Sequence, residues 1–390
     1  MLAGATLGLA VGVHSLPFYT SGLFMKALQA EFGWTRAQVS LGPTVLIAAL
    51  GLASPAVGVA ADRWGERALI APCLVILALF FAGLSRLGPN IGFYYLAVVA
   101  MAVIASGSAT PTFTRVINAS FDKARGTALG IGLVGTGLAS TFVPPLLSRV
   151  IADHGWRAGY LALAGVVVAA TPIIVLLLDR GPRAQARPEA GEGAPLGEAL
   201  ADPIFWSLAA AFFLVALASP GLVVHFVPLL TDQGLTPAAA AGLASAIGLC
   251  IIFGRLSTGL MIDRIFAPKV AAGLMTLSAV GFLVLALGGA RMALVGALAV
   301  GLSFGAEVDL IGYLGSRYFG LKAYGKIYGL LYAACLAGTA LSPWAYGWVV
   351  DHTGSYRPML FAAAALLALS AVVFATMRPF LHRAYGRAFA

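Results

Sequence analysis

Long apolar runs are the feature of this sequence that most constrains its fold. Each of these stretches has about 18 or more mostly apolar residues, which is enough to cross a bilayer as a helix. Lipid tails cannot bond to backbone N–H and C=O groups, so a helix must pair them internally. We therefore predict an all-α membrane protein with twelve transmembrane helices. In chain order, helices 1 to 12 are predicted at residues 2–25, 38–61, 68–87, 91–118, 127–149, 158–178, 203–230, 237–262, 270–290, 292–316, 326–350 and 358–377.

Composition agrees with a membrane protein and gives no support to an enzyme. Hydrophobic residues make up 60% of the chain and charged residues only 10%, more apolar surface than a soluble core can use. The first run lacks a basic segment and a cleavage site, so we interpret it as a helix rather than a signal peptide. The three cysteines all fall in predicted helices, which favours neither disulfides nor a zinc site. Because no nucleotide-binding loop or nucleophile motif is present, we expect no catalysis, cofactor or metal.

Positive charge is distributed unevenly between the two predicted membrane faces. Of the 24 Lys and Arg residues, sixteen fall on the side of the chain termini, seven fall on the other side, and Arg255 lies within a helix. This asymmetry follows the positive-inside rule and argues against nucleic-acid binding as the reason for the net charge of +9. We predict a multi-pass protein of the bacterial inner (cell) membrane with both termini in the cytoplasm.

The two halves of the chain repeat one another about 200 residues apart, as expected for a duplicated six-helix unit. Thr35 and Thr236 occupy equivalent places and are predicted to cap the helices that follow them. We predict bundles at residues 1–178 and 203–378, a polar linker with a short surface helix at 179–202, and a tail at 379–390. The matching stretches are EFGWTRAQ with DQGLTPAA, Gly58-x-x-x-Asp62-Arg63 with Gly259-x-x-x-Asp263-Arg264, FDKARGTALG with FGLKAYGKIYG, and DHGWR with DHTGSYR.

The stretch GVAADRWGER joins predicted helices 2 and 3. Its glycines, Gly58 and Gly65, permit close backbone approach or a sharp turn, and its acidic and basic side chains can pair. An ordinary charged loop is the simpler interpretation. The spacing of Gly58, Asp62, Arg63, Gly65 and Arg67 resembles the loop between helices 2 and 3 of the major facilitator superfamily, whose architecture is also two six-helix repeats.

The resemblance to that superfamily covers the whole chain and implies a role for this loop. There it acts as a latch between helices that breaks when a transporter changes the side to which it opens. The second copy carries Asp263 and Arg264, but Phe266 and Ala267 stand where a glycine is expected. We expect the second latch to be weaker.

Three charged residues lie inside predicted helices: Arg255 in helix 8, and Glu307 and Asp309 in helix 10. A lone charge in the bilayer costs several kcal/mol, so these groups should pair or face water. Arg255 and Asp309 are each eight residues from a charged helix end, roughly 12 Å inside the surface. Residues 307 and 309 point about 200° apart, so only one should face Arg255 while the other meets a neighbouring helix.

Two interpretations of these three charges stay open. One is a static ion pair that stabilises the second half. The other is a transport site, in which Arg255 binds an anion bidentately and Glu307 or Asp309 carries a proton. Protonation of the carboxylate would then free Arg255 for substrate.

Residues 248–259, 14–34 and 112–130 narrow the resemblance to the monocarboxylate transporter and oxalate–formate antiporter group. In that group the arginine of helix 8 binds the substrate carboxylate, a role that would fall on Arg255. This chain has Ile251 where the animal members carry an Asp and, by our alignment, Tyr19 where they carry a Lys. Their proton route therefore does not transfer, and Glu307 and Asp309 are predicted from burial alone.

Other polar groups are weaker candidates for the substrate site. His14 is predicted either to titrate or to be packed and hydrogen-bonded, and Tyr19 to line the cavity or lie in the interfacial belt. Tyr332 shares a helix face with Tyr328 and could stack on a substrate or pack in the core. His225, near the end of helix 7, could belong to a gate or an interface.

We predict a secondary transporter that carries a small monocarboxylate together with a proton by alternating access. The expected partners are the carboxylate, the proton and the lipid bilayer, and we expect a monomer. An organic-anion exchanger without proton coupling is the alternative, followed by a receptor that does not transport.

Overall fold

The structure is a computed structural model that describes residues 1–120, 125–178, 193–262, 264–320 and 322–380. For Asp62, Asn118, Ala119 and residues 125–127 it describes only the backbone. Almost all of these residues are helical, and the predicted all-α class is confirmed. The short helix expected in the linker is found at Leu196–Ala201, whereas residues 179–192 and 381–390, which include most of the linker and tail, lie outside the described ranges.

Twelve crossings are present in the described part of the chain. Nine segments there are long and apolar enough to span a membrane. Two of the nine, Ala128–Leu178 and Ala267–Phe319, contain 51 and 53 residues, so each holds two crossings and the nine segments give eleven. Helix 4, which consists of two shorter helices, is the twelfth crossing. The helices are, in order, Leu2–Val11 with Ser15–Phe32 (helix 1), Arg36–Trp64, Glu66–Leu84, Ile91–Ile104 with Thr110–Ser120 (helix 4), Arg125–Leu178 (helices 5 and 6), Pro203–Ala218 with Pro220–Asp232 (helix 7), Pro237–Ile262, Ala267–Gly288, Ala293–Phe319, Tyr324–Thr353 and Arg357–Ala375.

Local chemistry explains where several helices begin and turn. Thr35 caps helix 2 by accepting a hydrogen bond from the N–H of Gln38, and the Gln38 side chain accepts one from the N–H of Thr35. Thr236 accepts from the N–H of Ala239 at the start of helix 8, so both predicted caps are confirmed. Between helices 5 and 6, Gly155 adopts φ 82°, a value that side chains with a Cβ rarely permit.

Helix 7 is broken inside the membrane, although its sequence forms one apolar run. Pro220 has no N–H. The N–H groups of Gly221 and Leu222 bond to the Ser342 hydroxyl and to Ser219 O instead of to the carbonyls four residues earlier, so those carbonyls lack helical partners. Helix 11 satisfies them: the Ser342 hydroxyl donates to Leu217 O at 2.6 Å and the Tyr346 hydroxyl to Ala218 O at 2.8 Å. These bonds fix the first part of helix 7 against helix 11 at a depth where no water is available.

Each half of the chain has its own apolar core. One cluster of buried residues extends from Ala5 to Leu178, and a second from Ala199 to Met377. Val224 of helix 7 and Ala340 of helix 11 belong to the first cluster, so the second half contacts the first through these two helices.

The two halves are in close contact at the membrane side away from the termini, which we call the distal side. There a Cβ added at Gly22 of helix 1 would collide with the Val224 carbonyl of helix 7. A Cβ added at Gly347 of helix 11 would lie 2.8 Å from the Cα of Ala37 in helix 2. Only glycine permits this spacing, because any side chain would meet backbone atoms.

The halves separate toward the side of the termini, the terminal side. Helices 5 and 8 run antiparallel, and a Cβ added at Gly137 would lie 2.5 Å from Ile252 Cγ1. Gly130 lies seven residues before Gly137 on helix 5, and Gly259 lies seven residues after Ile252 on helix 8, so the antiparallel register places these two glycines opposite each other, nearer the terminal side. Neither glycine has a described atom of another element within 4 Å of an added Cβ. The described structure is therefore closed at the distal side and open at the terminal side.

Candidate functional site

Arg255 lies where the two halves begin to separate. It is three residues after Ile252 and four before Gly259, on the same face of helix 8. The residue is only 8% exposed. Its Nη1 atom contacts Asp309 Oδ1 of helix 10 at 3.4 Å, near the upper limit for a hydrogen bond. The Nε–H of Arg255 is buried and has no partner among the described residues, so the guanidinium retains binding capacity.

Glycines in helix 10 bring it close enough to helix 8 for these charges to meet. A Cβ added at Gly301 would lie 2.6 Å from Ile247 O, and one added at Gly305 would lie 2.6 Å from Ile251 O. The two backbones therefore touch one turn before Arg255. Asp309 follows Gly305 by four residues and so lies on the same face.

The two carboxylates of helix 10 point to different partners, as the helical geometry predicted. Asp309 faces Arg255 and its side chain is 28% exposed. Glu307 is 2% exposed and accepts a hydrogen bond from the Cys335 thiol of helix 11 at 3.0 Å. The sequence did not identify Cys335 as a partner, because nothing local links helices 10 and 11. Of these two carboxylates, Asp309 is the one that pairs with the guanidinium.

Aromatic residues from both halves surround this ion pair. Tyr19 of helix 1 meets Phe304 of helix 10 edge to face at 6.5 Å, and Phe18 stacks on the same ring at 6.3 Å. On helix 11, Tyr328 and Tyr332 stack at 5.7 Å, which confirms that they share a face. Tyr19 and Tyr332 both lie close enough to Arg255 to interact with it electrostatically. The predicted binding residues Arg255, Tyr19 and Tyr332 are thus brought together.

His14 has a polar partner within its own half. Its Nδ1 atom lies 3.3 Å from the Thr110 hydroxyl of helix 4, and its ring meets Phe18 at 6.4 Å. It is placed at the interruption of helix 1, where the N–H of Val13 donates to the Ser108 hydroxyl. This geometry favours the packed, hydrogen-bonded alternative for His14. Phe18, which contacts His14, also stacks on Phe304 beside the ion pair.

The predicted latch can be described only in part. Gly65 adopts φ 83° and turns the chain between helices 2 and 3. The side chain of Asp62, and Asp263 as a whole, lie outside the described atoms. Arg63 and Arg264 are exposed and Arg67 is half-buried. A Cβ added at Gly58 would lie 3.8 Å from Arg115 Nη1, and Arg115 pairs with Glu66 at 3.2 Å, so the latch segment contacts helix 4.

His225 lies in a hydrogen-bond network between the halves at the distal side. Its Nε2 atom is 2.9 Å from the Ser40 hydroxyl and 3.0 Å from Pro343 O. Ser40 donates its own proton to Arg36 O, so we assign the imidazole proton to Nε2. Nδ1 then accepts from the Tyr356 hydroxyl at 2.9 Å. His225 therefore lies at the interface between the halves, a position that fits both predicted alternatives, a gate residue and an interface residue.

Comparison with known proteins places this arrangement in a family. A relative from Thermoproteus tenax, named an uncharacterized 38 kDa protein in the 23S RNA operon, is 30% identical over 92% of this chain and 91% of its own. Monocarboxylate transporter 13 of Bos taurus is 26% identical over 92% of this chain and 84% of its own. The crystal structure of a D-xylose–proton symporter superposes with a TM-score of 0.74 at 14% identity, covering 97% of this chain and 96% of that one.

These matches agree with the predicted resemblance to the major facilitator superfamily. The family model described as Major Facilitator Superfamily matches residues 7–343. Its members and the structural neighbour are membrane transporters built from the fold described above. The chain therefore belongs to the Major Facilitator Superfamily.

Proposed function

We propose that this protein carries a small monocarboxylate together with a proton across the membrane by alternating access. The observation that carries the proposal is Arg255: a buried guanidinium, at the inner end of the opening between the halves, whose Nε–H has no partner among the described residues. A carboxylate is the anion whose two oxygens match a guanidinium fork. The monocarboxylate transporters among the relatives support the same substrate class.

Charge balance explains why an anion and a proton would travel together. In the empty site Asp309 neutralises Arg255 at 3.4 Å. A bound carboxylate adds one negative charge, which is costly in a low-dielectric interior unless one proton enters with it. Protonated Asp309 no longer competes for Arg255, and the substrate replaces it. The loaded and empty sites then have the same net charge, and either can reorient across the membrane.

Asp309 suits the proton-carrying role better than Glu307. It pairs directly with Arg255 and is partly exposed to the opening, so a proton and a substrate can reach it. Glu307 is buried and accepts a hydrogen bond from Cys335 rather than from the guanidinium. We assign the transported proton to Asp309 and a packing role to Glu307.

The same proposal places the protein in its membrane. We propose that the terminal side faces the cytoplasm of a bacterial cell, and the positive-inside asymmetry supports this choice of side; the described state is then open inward. Asp62, Arg63 and Arg67, with Asp263 and Arg264, would form latches that close this side in the opposite state. We propose that one chain, as a monomer, completes the cycle.

Uptake into proteoliposomes tests this function. With radiolabelled benzoate as the probe, and the passive entry of benzoic acid into protein-free vesicles subtracted, an inward proton gradient should accelerate the protein-dependent uptake by wild-type protein. Asp309→Asn should abolish this acceleration, whereas Glu307→Gln, a matched change on the same helix, should retain it. Arg255→Ala should remove benzoate binding, and intact binding in this variant would reject the site.

The other functions give different results in the same assay. An organic-anion exchanger would take up benzoate only when the vesicles contain a counter-substrate, and the proton gradient would have no effect. A receptor would bind benzoate without any flux. Either result would replace proton symport.

A further inference from the structure

A cluster of charges joins the halves at the distal side, well away from Arg255. Asp232, at the end of helix 7, accepts from Lys26 Nζ of helix 1 at 2.7 Å and also pairs with Arg36 of helix 2. Both cations belong to the first half and the carboxylate belongs to the second. Lys26 is 43% exposed, Arg36 17% and Asp232 30%, so water reaches the cluster from the distal face.

A second carboxylate from helix 11 occupies the start of helix 2. Asp351 accepts hydrogen bonds from the backbone N–H groups of Arg36 at 3.0 Å and Ala37 at 2.7 Å. These N–H groups belong to the first turn of a long helix and have no partner within it. The positive end of the helix dipole also favours a negative charge there.

The Arg36 side chain is held in place by more than its ion pair. Its Nη1 atom donates to the Tyr356 hydroxyl at 2.9 Å, and the guanidinium lies 5.4 Å from the centre of that ring. Burial raises the pKa of Tyr356, so the phenol stays protonated, and its hydroxyl donates a hydrogen bond to Nδ1 of His225. Arg36 is thus oriented toward Asp232 by a network that crosses the interface.

Together these groups of the first half form an anion-binding surface, which we call the distal receptor, and the carboxylates of Asp232 and Asp351 occupy it in this state. The first half supplies two cationic side chains and two backbone N–H groups, and the second half supplies two carboxylates. Alternating access requires the halves to separate at the distal side, and Asp232 and Asp351 then leave with the second half. The receptor would keep two positive charges without partners at the mouth of a water-filled funnel, where they attract anions.

We propose that Lys26, Arg36 and the first N–H groups of helix 2 form a second carboxylate-binding site, which receives an external carboxylate when the distal side opens. This proposal rests on the proposed function, because it requires alternating access and a carboxylate substrate. The incoming carboxylate takes the place of Asp232. Substrate and Asp232 therefore compete, and external substrate favours the distal-open state. From this site the anion moves inward to Arg255.

The test isolates the distal site by removing Arg255 and preventing distal closure. Gly347→Trp places an indole against Ala37 and keeps the distal side open, and Arg255→Gln disables the central site. Benzoate binding to this purified double variant is measured by isothermal titration calorimetry, with neutral benzamide as the probe control. We expect a dissociation constant of about 1 mM for benzoate and no binding of benzamide.

Charge removal then identifies the residues. Adding Lys26→Gln and Arg36→Gln to the double variant should weaken benzoate binding by about tenfold or more. The matched control is Arg157→Gln, which removes a distal cation that pairs with Glu31 inside the first half. If benzoate does not bind the double variant, or if Arg157→Gln weakens binding as much as the Lys26 and Arg36 changes, the receptor does not exist.

A separate comparison distinguishes failure of the receptor from failure of the transport proposal. Gly347→Trp with Arg255 intact should bind benzoate. If it does so while the Arg255→Gln version does not, only the distal receptor is rejected; if neither binds, the proposed function fails as well. Should the tryptophan variants not fold, Asp232→Asn with Asp351→Asn should lower the external KM for benzoate by at least about fivefold, since the competing carboxylates are gone. An unchanged KM would reject the receptor.

Discussion

The distal and terminal ends of the interface between the halves differ in how their charges are paired. At the distal end, Asp232 and Asp351 of the second half bind groups of the first half. At the terminal end, the described pairs Arg115–Glu66 and Arg378–Asp202 each lie within one half. Pairs that cross the interface must break in every transport cycle, whereas pairs within a half can persist. The distal contacts therefore help to determine which state the protein prefers.

The largest effect is expected from Gly347→Trp, which destroys the distal contact. An added Cβ there lies 2.8 Å from the Cα of Ala37, so the indole forces helices 2 and 11 apart. The closed state is lost, and benzoate uptake should fall by about 100-fold or more while the protein stays monodisperse. Uptake within threefold of wild type would show that the distal ends need not close.

Gly329→Trp on the terminal part of the same helix sharpens this comparison. No described atom of another element lies within 4 Å of a Cβ added at Gly329, so the described state tolerates the change. It should instead prevent closure of the terminal side. Pulsed electron paramagnetic resonance with spin labels at the exposed residues Ala30 and Ala238 should report a short distal distance for Gly329→Trp and a long one for Gly347→Trp.

A smaller effect is expected from Asp232→Asn, which removes the carboxylate shared by Lys26 and Arg36. Because Asp232 is 30% exposed, solvent screens part of the interaction, and we expect about a tenfold shift toward the distal-open state. The Ala30–Ala238 distance distribution measures this shift. Glu31→Gln breaks the Arg157 pair inside the first half and should leave the distribution unchanged; equal shifts in both variants would remove the distinction between crossing and internal pairs.

Tyr356→Phe should shift the same equilibrium by about fivefold. The change deletes the hydroxyl between Arg36 and His225 and leaves a buried imidazole nitrogen without its partner. The apolar ring and its packing are retained, so the unfolding temperature should change little. A population that matches wild type would mean that the His225 network does not stabilise the distal contact.

The smallest shift, about two- to threefold, is expected from Asp351→Asn. The single amide oxygen keeps one of the two hydrogen bonds at the start of helix 2, and water can replace the other because residue 351 is exposed, so the main loss is the interaction of the charge with the helix dipole. The spin-label distances again provide the measurement. A shift as large as that of Asp232→Asn would indicate that the charge of Asp351, rather than its hydrogen bonds, stabilises closure.

Residues with a local signal were predicted correctly from the sequence. Thr35 and Thr236 precede apolar runs, as N-caps do, and both cap helices. Tyr328 and Tyr332 are four residues apart and stack. The 200° separation of Glu307 and Asp309 required that their partners differ, which they do.

The sequence does not reveal that the charges of the distal cluster contact one another, although these residues belong to the repeated motifs. Arg36, Asp232 and Asp351 occur in EFGWTRAQ, DQGLTPAA and DHTGSYR, which were interpreted only as traces of duplication. Charges at helix ends are common in membrane proteins, so neither type nor position distinguished them. The separation of Arg36 from Asp351 by 315 residues left no local pattern that could connect them.

The sequence by itself determined the membrane class, the number of crossings and the buried charges, because lipid penalises every unpaired polar group along each helix. Only the tertiary structure decided which buried charge meets which, and where the halves touch. Glycines that admit a neighbouring backbone set those contacts, and their effect depends on the helix that packs against them. The pairing of Arg255 with Asp309, and of Asp232 with Lys26 and Arg36, is therefore a property of the packed bundle and not of any one segment.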